Sequence, residues 1–260
     1  MDEIIYVKGK TIDYIQFKRL LDLGVENAYT LRNDKFDFTT NSPTEKDSYK
    51  RLCEEFGYDY ERLCVPIQTH STNVKCLGSD LSQIDLKATD GLITTEKDVV
   101  MATKNADCIL FIIYDTKNKV LANIHSGWRG TFSKIIEKTI VKMRDIYNTD
   151  PQDLVVAISP SIRKCHFEVD SDVAELCEKT FDYTHRTQDF IEKSDIVDGK
   201  QKYKIDTILI NKILLDDLGV KPENIIDSNI CSVCENDKFY SYRAEGTDAG
   251  RNTLICKLKN

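Results

Sequence analysis

The chain has 260 residues, with 36 basic against 43 acidic side chains, a formal net charge of −7, 41% hydrophobic residues and only 11 Gly and 5 Pro. That composition excludes a disordered or collagen-like chain, and its acidic balance argues against coating nucleic acid or a membrane surface, both of which need a positive field. The longest apolar run, 108–114, falls well short of the roughly 18 residues of a spanning helix, and the acidic opening Met1-Asp2-Glu3 is unlike a secretory signal, so a cytoplasmic protein without a membrane partner is expected.

In chain order, strand character comes first at 4–8 and 28–31. A charged, turn-rich excursion follows over 32–48. Within it, Ser42-Pro43-Thr44-Glu45 has the form of a helix start, with Ser42 as N-cap, Pro43 in the first turn and Glu45 closing a capping box. The helix it opens extends to about Gly57, with Tyr49, Leu52, Cys53 and Phe56 on one face. Strand-like runs follow at 65–69, 92–95, 98–103, 108–114 and 120–124. Asp115-Thr116-Lys117-Asn118-Lys119 joins the last two as a hairpin turn, so part of the sheet is expected to be antiparallel. A helix from about 131 to 147 carries Phe132, Ile135, Ile136, Ile140, Met143 and Tyr147 on its apolar face. Further helices are expected over 171–181 and 206–218, with strands at 154–158, 203–205, 225–230 and 252–258 and a second charged excursion at 182–204. No repeat or linker interrupts the sequence. Residues 1–260 are therefore expected to form a single domain of α/β class, with mixed, buried sheet layers flanked by helices.

The hairpin brings chemistry together. Cys108 begins its first strand and His125 ends its second, so the two should be neighbours although 17 positions apart. His70 also ends an apolar run, and if that run enters from the same edge, His70, Cys108 and His125 converge. Two imidazoles and a thiolate would suit zinc and leave a fourth position open, which is the catalytic pattern. The alternative of ordinary partly buried histidines and a core cysteine stays open at this point. In Ser126-Gly127-Trp128-Arg129-Gly130-Thr131, the glycines, the Arg129 fork and a helix N-terminus expected at Thr131 are the parts of a phosphate site, the commoner alternative being a Gly-containing turn with a surface Arg. Arg243 and Arg251 stand beside glycines and aromatics and suit a planar, polar ligand. Cys231-Ser232-Val233-Cys234 is a single CxxC without an adjoining pair and is expected to be structural. Cys165-His166 carries little weight, because adjacent strand residues point to opposite faces. His185 is expected to face solvent.

Six ordered motifs resemble the YfiH-like family, also known as laccase-domain or polyphenol-oxidase-like proteins and peptidoglycan-editing factors. They are Gln68-Thr69-His70-Ser71, Thr89-Asp90-Gly91-Leu92-Ile93-Thr94, Asn105-Ala106-Asp107-Cys108, His125 to Thr131, Ser159-Pro160-Ser161-Ile162, and Phe239-Tyr240-Ser241-Tyr242-Arg243 followed by Gly250-Arg251. The resemblance implies an α/β/β/α fold and one zinc held by His70, Cys108 and His125, with copper as the alternative metal. It implies phosphate-dependent cleavage of adenosine, inosine, guanosine and methylthioadenosine, and adenosine deamination at the same site. Purine nucleosides and phosphate would be the partners, and the chain would act as a monomer or homodimer. The family's His-Gly pair is replaced here by Asn27-Ala28, and its GPxI by Ser159-Pro160-Ser161-Ile162, while the metal ligands are intact.

Within that reading, Arg129 would contact phosphate, Arg243 and Arg251 would bind substrate, and Asp107 or Asp90 would manage protons by analogy with zinc deaminases. A cysteine hydrolase is the second enzyme class, with Cys108 as nucleophile and His125 as base acting on an amide or peptidoglycan fragment. A copper polyphenol oxidase is disfavoured, because four His cannot supply several coppers. A binding protein whose cysteines are only core is the non-enzymatic reading.

Overall fold

Seven consecutive buried residues, Ile109–Asp115, set the architecture. Side chains alternate faces along a strand, so Ile109, Phe111 and Ile113 enter one core while Leu110, Ile112 and Tyr114 enter another. Only a strand covered on both sides can be apolar throughout. The computed structural model describes residues 3–259 and meets this requirement with four layers.

One six-stranded sheet has the order Ile4–Val7, Tyr14–Phe17, Val25–Thr30, Asn252–Leu258, Val100–Asn105, Leu63–Cys64. The other has the order Ile225–Asp227, Leu154–Ile158, Ile109–Asp115, Val120–Ser126, Gly91–Thr94, Val74–Leu77. Both mix parallel and antiparallel pairs. Leu110, Ile112, Leu121 and Ala157 of the second sheet share a core with Phe17, Tyr29, Met101 and Leu254 of the first. Outside the second sheet lie helices Ile135–Tyr147 and Thr207–Asp217, and outside the first lies Glu45–Phe56, which buries Tyr49 and Leu52 against Ala28, Val100 and Ile255. The result is the expected α/β/β/α arrangement. Among the described residues no helix is long and apolar enough to cross a membrane.

Several elements differ from expectation for identifiable reasons. The run 65–69 is not a strand. Pairing stops after Leu63–Cys64, ahead of Pro66, which has no N–H to give, and the Gln68 side chain then substitutes for backbone. Its amide donates to Lys104 O at 2.7 Å, and its oxygen accepts the Lys104 N–H at 2.8 Å. The helix expected from 131 to 147 is two helices, Trp128–Phe132 and Ile135–Tyr147, broken at Lys134 in the left-handed region (φ 57°). The capping box at Ser42 is not formed. The helix begins at Glu45, whose carboxylate accepts the Asn41 N–H at 2.7 Å, and Ser42 Oγ has no partner among the described residues.

The excursion expected over 182–204 contains the hairpin Ile191–Val197/Lys200–Ile205. Its turn residues are Asp198 (φ 50°) and Gly199 (φ 74°), and with Glu168–Val169 it makes a third, three-stranded sheet. Asp-Gly is a strong hairpin signal, masked here by the polar, largely exposed flanking strands.

Candidate metal centre and its cavity

The antiparallel register sets Leu110 opposite His125 and Ile109 opposite Ser126. Cys108, two positions before Leu110, is thus diagonal to His125 within side-chain reach, as the hairpin predicted. His70 joins them from an irregular segment rather than a strand end. The ligand-capable atoms of His70, Cys108 and His125 all lie within 4.8 Å of one another, with Cys108 Sγ 3.7 Å from His70 Nε2.

Asp90 organises this convergence. Its fully buried carboxylate accepts the backbone N–H groups of Thr69 (3.2 Å), His70 (3.0 Å) and Ser71 (2.7 Å), together with the Ser71 hydroxyl (2.6 Å). Those bonds hold His70 at φ 59°, a conformation uncommon for a residue with a Cβ. The same carboxylate pairs with His125 Nδ1 at 2.9 Å and leaves Nε2 to the cluster, an arrangement like the carboxylate–histidine support of metal sites. Burial would raise the Asp90 carboxyl, but hydrogen bonds from His125 and Ser71 outweigh it and bring it to about 2. Burial would lower His125, but its bonds to Asp90 and Cys108 raise it to about 9. Burial would raise the Cys108 thiol, but His125 and then His70 pull it down to about 6. A thiolate facing an imidazolium is therefore the favoured metal-free state near neutrality.

Gly127 is required by close approach. A Cβ there would stand 2.5 Å from His70 Cδ2 and 3.1 Å from Cys108 Sγ. Asp107, at φ 85°, turns the chain into Cys108. Its two oxygens accept from Ser232 Oγ and from the Arg243 backbone N–H, both at 2.6 Å. Both oxygens of Asp107 and both of Asp90, the carboxylates expected to manage protons, accept hydrogen bonds from the chain.

The cluster opens into a cavity of about 510 Å³, within the range of small-molecule sites. Trp128, Phe167 and Tyr242 contribute aromatic surface to its wall, and Lys104, Arg243 and Arg251 contribute cations. Arg243 and Arg251 thus stand where the sequence suggested. Arg129 does not: it is exposed, its guanidinium 4.1 Å over the Trp128 ring, and it is not among the cavity residues. The helix start expected at Thr131 lies instead at Trp128, in a helix of only five residues. Sequence reasoning missed Lys104, buried at 5% exposure and paired with Glu45, and Phe167 and Val169 from the third sheet's margin. The buried Lys104 is legible only once its strand is placed beside the 65–69 segment.

Cys231-Ser232-Val233-Cys234 is isolated in sequence but not in space, because Cys165 and His166 stand beside it. His185 is exposed, as expected.

Known proteins share this sequence pattern and fold. A family model described as multi-copper polyphenol oxidoreductase laccase matches residues 24–259. A purine nucleoside phosphorylase of Bacteroides thetaiotaomicron is 32% identical over 228 residues, 83% of this chain and 82% of that protein. The adenosine deaminase RL5, from an unknown prokaryotic organism, is 31% identical over 79% of this chain and 78% of its own length. In structure, YlmD of Geobacillus stearothermophilus superposes with a TM-score of 0.85 at 21% identity, covering 98% of this chain and 99% of that one. The hypothetical protein YfiH of Bacillus licheniformis gives 0.82 at 22% identity, covering 95% and 96%. The chain belongs to this YfiH-like, laccase-domain family.

Proposed function

We propose that the protein is a zinc-dependent purine nucleoside enzyme of the cytoplasm. It cleaves adenosine, inosine, guanosine and methylthioadenosine with phosphate, and deaminates adenosine at the same site. The observation that carries this reading is the meeting of His70, Cys108 and His125 at the lining of a cavity walled by aromatics and cations. Relatives about 30% identical that are named purine nucleoside phosphorylase and adenosine deaminase support the substrate class. Nine free cysteines suit a reducing compartment.

The residues fit zinc by their chemistry: two imidazoles, one thiol held low by its neighbours, and a buried carboxylate that fixes the donor nitrogen of His125. Bound there, zinc would supply a Lewis acid that polarises a substrate or water oxygen. The remaining work falls to the chain itself. Trp128, Phe167 and Tyr242 offer faces to a purine, and Arg243, Arg251 and Lys104 offer charge to phosphate. Asp107 fixes the turn that presents Cys108, and Asp90 fixes both histidines. Two coordinating histidines cannot serve a multicopper oxidase, and the other two, His166 and His185, are not in this group.

The test is turnover of inosine plus phosphate to hypoxanthine, followed by chromatography. His70→Ala and Cys108→Ala should each abolish it, and full turnover in either variant would overturn the proposal. A cysteine hydrolase is the second reading, favoured by the Cys108–His125–Asp90 order, which matches a nucleophile, base and orienting carboxylate. Hydrolysis that survives a chelator but is stopped by thiol alkylation would select it.

A further inference from the structure

We propose that Cys165, His166, Cys231 and Cys234 form a second metal site, a closed structural zinc centre separate from the cavity. Their donor atoms all lie within 4.8 Å of one another. Cys165 Sγ is 3.6 Å from Cys231 Sγ and 3.8 Å from Cys234 Sγ. His166 Nδ1 is 3.2, 3.7 and 3.5 Å from the sulfurs of Cys165, Cys231 and Cys234. Zinc–sulfur bonds of ~2.3 Å and a zinc–nitrogen bond of ~2.05 Å, arranged as a tetrahedron, set S···S edges of about 3.8 Å and S···N edges of about 3.5 Å. Five of the six edges are thus matched within a few tenths of an ångström, and the sixth, between Cys231 and Cys234, is within 4.8 Å. Three thiolates and an imidazole select zinc among common metals, and four protein donors leave no open position, which marks a structural rather than a catalytic ion.

The local backbone is built for this. Lys164 to His166 form a turn, closed by the N–H groups of His166 and Phe167 on Arg163 O at 2.9 Å, so adjacent side chains point to one side. This overturns the opposite-face argument drawn from the sequence. The two ligand segments are paired just upstream: Ser161 bridges Cys231, Ser161 N–H donates to Ile230 O at 3.3 Å, and Ser232 N–H donates to Ser161 O at 3.1 Å. The residues after Cys234 form turns as far as Lys238, and the next helix, Tyr242–Glu245, is only four residues long, so the usual setting of a redox CxxC is missing.

The clip has a consequence for the cavity. Ser232 hydrogen-bonds Asp107, and His166 O accepts from the Arg243 guanidinium, so both segments that the ion would join also brace the cavity wall. The ion would fix the loops 159–169 and 228–235 relative to Cys108.

Metal analysis of the full chain tests this independently of any catalytic reading. A Cys165→Ser/Cys234→Ser variant should hold one zinc ion per chain fewer than the wild type. Conversely, a His70→Ala/Cys108→Ser variant should retain one, and its zinc X-ray absorption spectrum should show three sulfur neighbours and one nitrogen. The second measurement stands even if the serine variant fails to fold. Unchanged zinc content in a folded serine variant, or a retained ion without three sulfurs, would overturn the proposal. So would iron or copper as the resident metal, or two fewer titratable thiols than the nine in the sequence, which would indicate a disulfide in place of the metal.

Discussion

Replacing Gly127 by Ala should abolish metal binding at the cavity while leaving the fold intact. The added Cβ would stand 2.5 Å from His70 Cδ2 and 3.2 Å from His70 Nε2. Non-bonded carbons rest at ~3.5–4.0 Å, so the imidazole must retreat by about 1 Å. Metal sites hold their ligand distances within ~0.2 Å, so a displacement five times larger removes His70 from the donor set. Losing a mere supporting partner of a ligand costs ~10–100-fold in affinity, and losing the ligand itself should cost at least that much. The fold should be unaffected, because Gly127 sits at φ −71° and ψ 177°, where alanine is unstrained. His70 is exposed and can move. Alanine's smaller unfolded-state entropy should even add ~0.4–1 kcal/mol. Zinc affinity measured by competition with a chromophoric chelator, alongside thermal unfolding of the metal-free protein, separates the two effects. Wild-type zinc affinity in Gly127→Ala, or a large fall in its metal-free melting temperature, would refute the reasoning.

Asp90→Asn should destabilise the metal-free protein and weaken metal binding. Asp90 titrates near 2 when folded against an ordinary 3.8, so its ionisation contributes about 2 kcal/mol, fully present above pH 4 and lost as pH falls through about 2. Chemical unfolding at pH 7 checks the first effect and chelator competition the second. In metal-stripped protein, alkylation at Cys108 should switch on as pH rises through about 6, and at pH 7 should far outpace Cys165, whose thiol is pushed up to about 12 by burial and by Cys231. Peptide mapping after a short iodoacetamide pulse reads this, and equal labelling of the two would contradict it. Arg251→Ala should raise KM for phosphate by roughly tenfold or more, the usual worth of a hydrogen bond to a charged group, with KM for inosine less changed. Arg129→Ala, which removes an exposed guanidinium outside the cavity, should leave both near wild type.

The layered fold and the meeting of Cys108 with His125 could be read from the sequence because they rest on local pattern. A seven-residue apolar run, a five-residue turn and a second run fix which ends of a hairpin meet, and that alone places Cys108 beside His125. His70 lies beside them as expected, but not at a strand end. Its convergence depends on Asp90, twenty residues away in sequence, gathering three consecutive N–H groups, and no periodicity encodes such a contact. The Cys165–His166 and Cys231–Cys234 pairs are 66 residues apart at their first members, a separation no local pattern spans, so their meeting is visible only in three dimensions. Arg129 failed for the opposite reason. The glycine-bounded loop suggested an anion site, yet Gly127 serves to make room for His70 and Cys108, and the loop's arginine turns out onto Trp128.

The place of Asn252–Leu258 bears on how the protein is made. It is paired on one side with Val25–Thr30 and on the other with Val100–Asn105, at the centre of its sheet. Chains emerge from the ribosome in sequence order, so both flanking strands are exposed for some 150 residues of synthesis before the strand that joins them exists. Until then the sheet is two separate ribbons with open inner edges and a half-covered core, a form prone to pairing with other chains. Late closure makes this strand the step at which nascent protein either completes its fold or is captured by a chaperone.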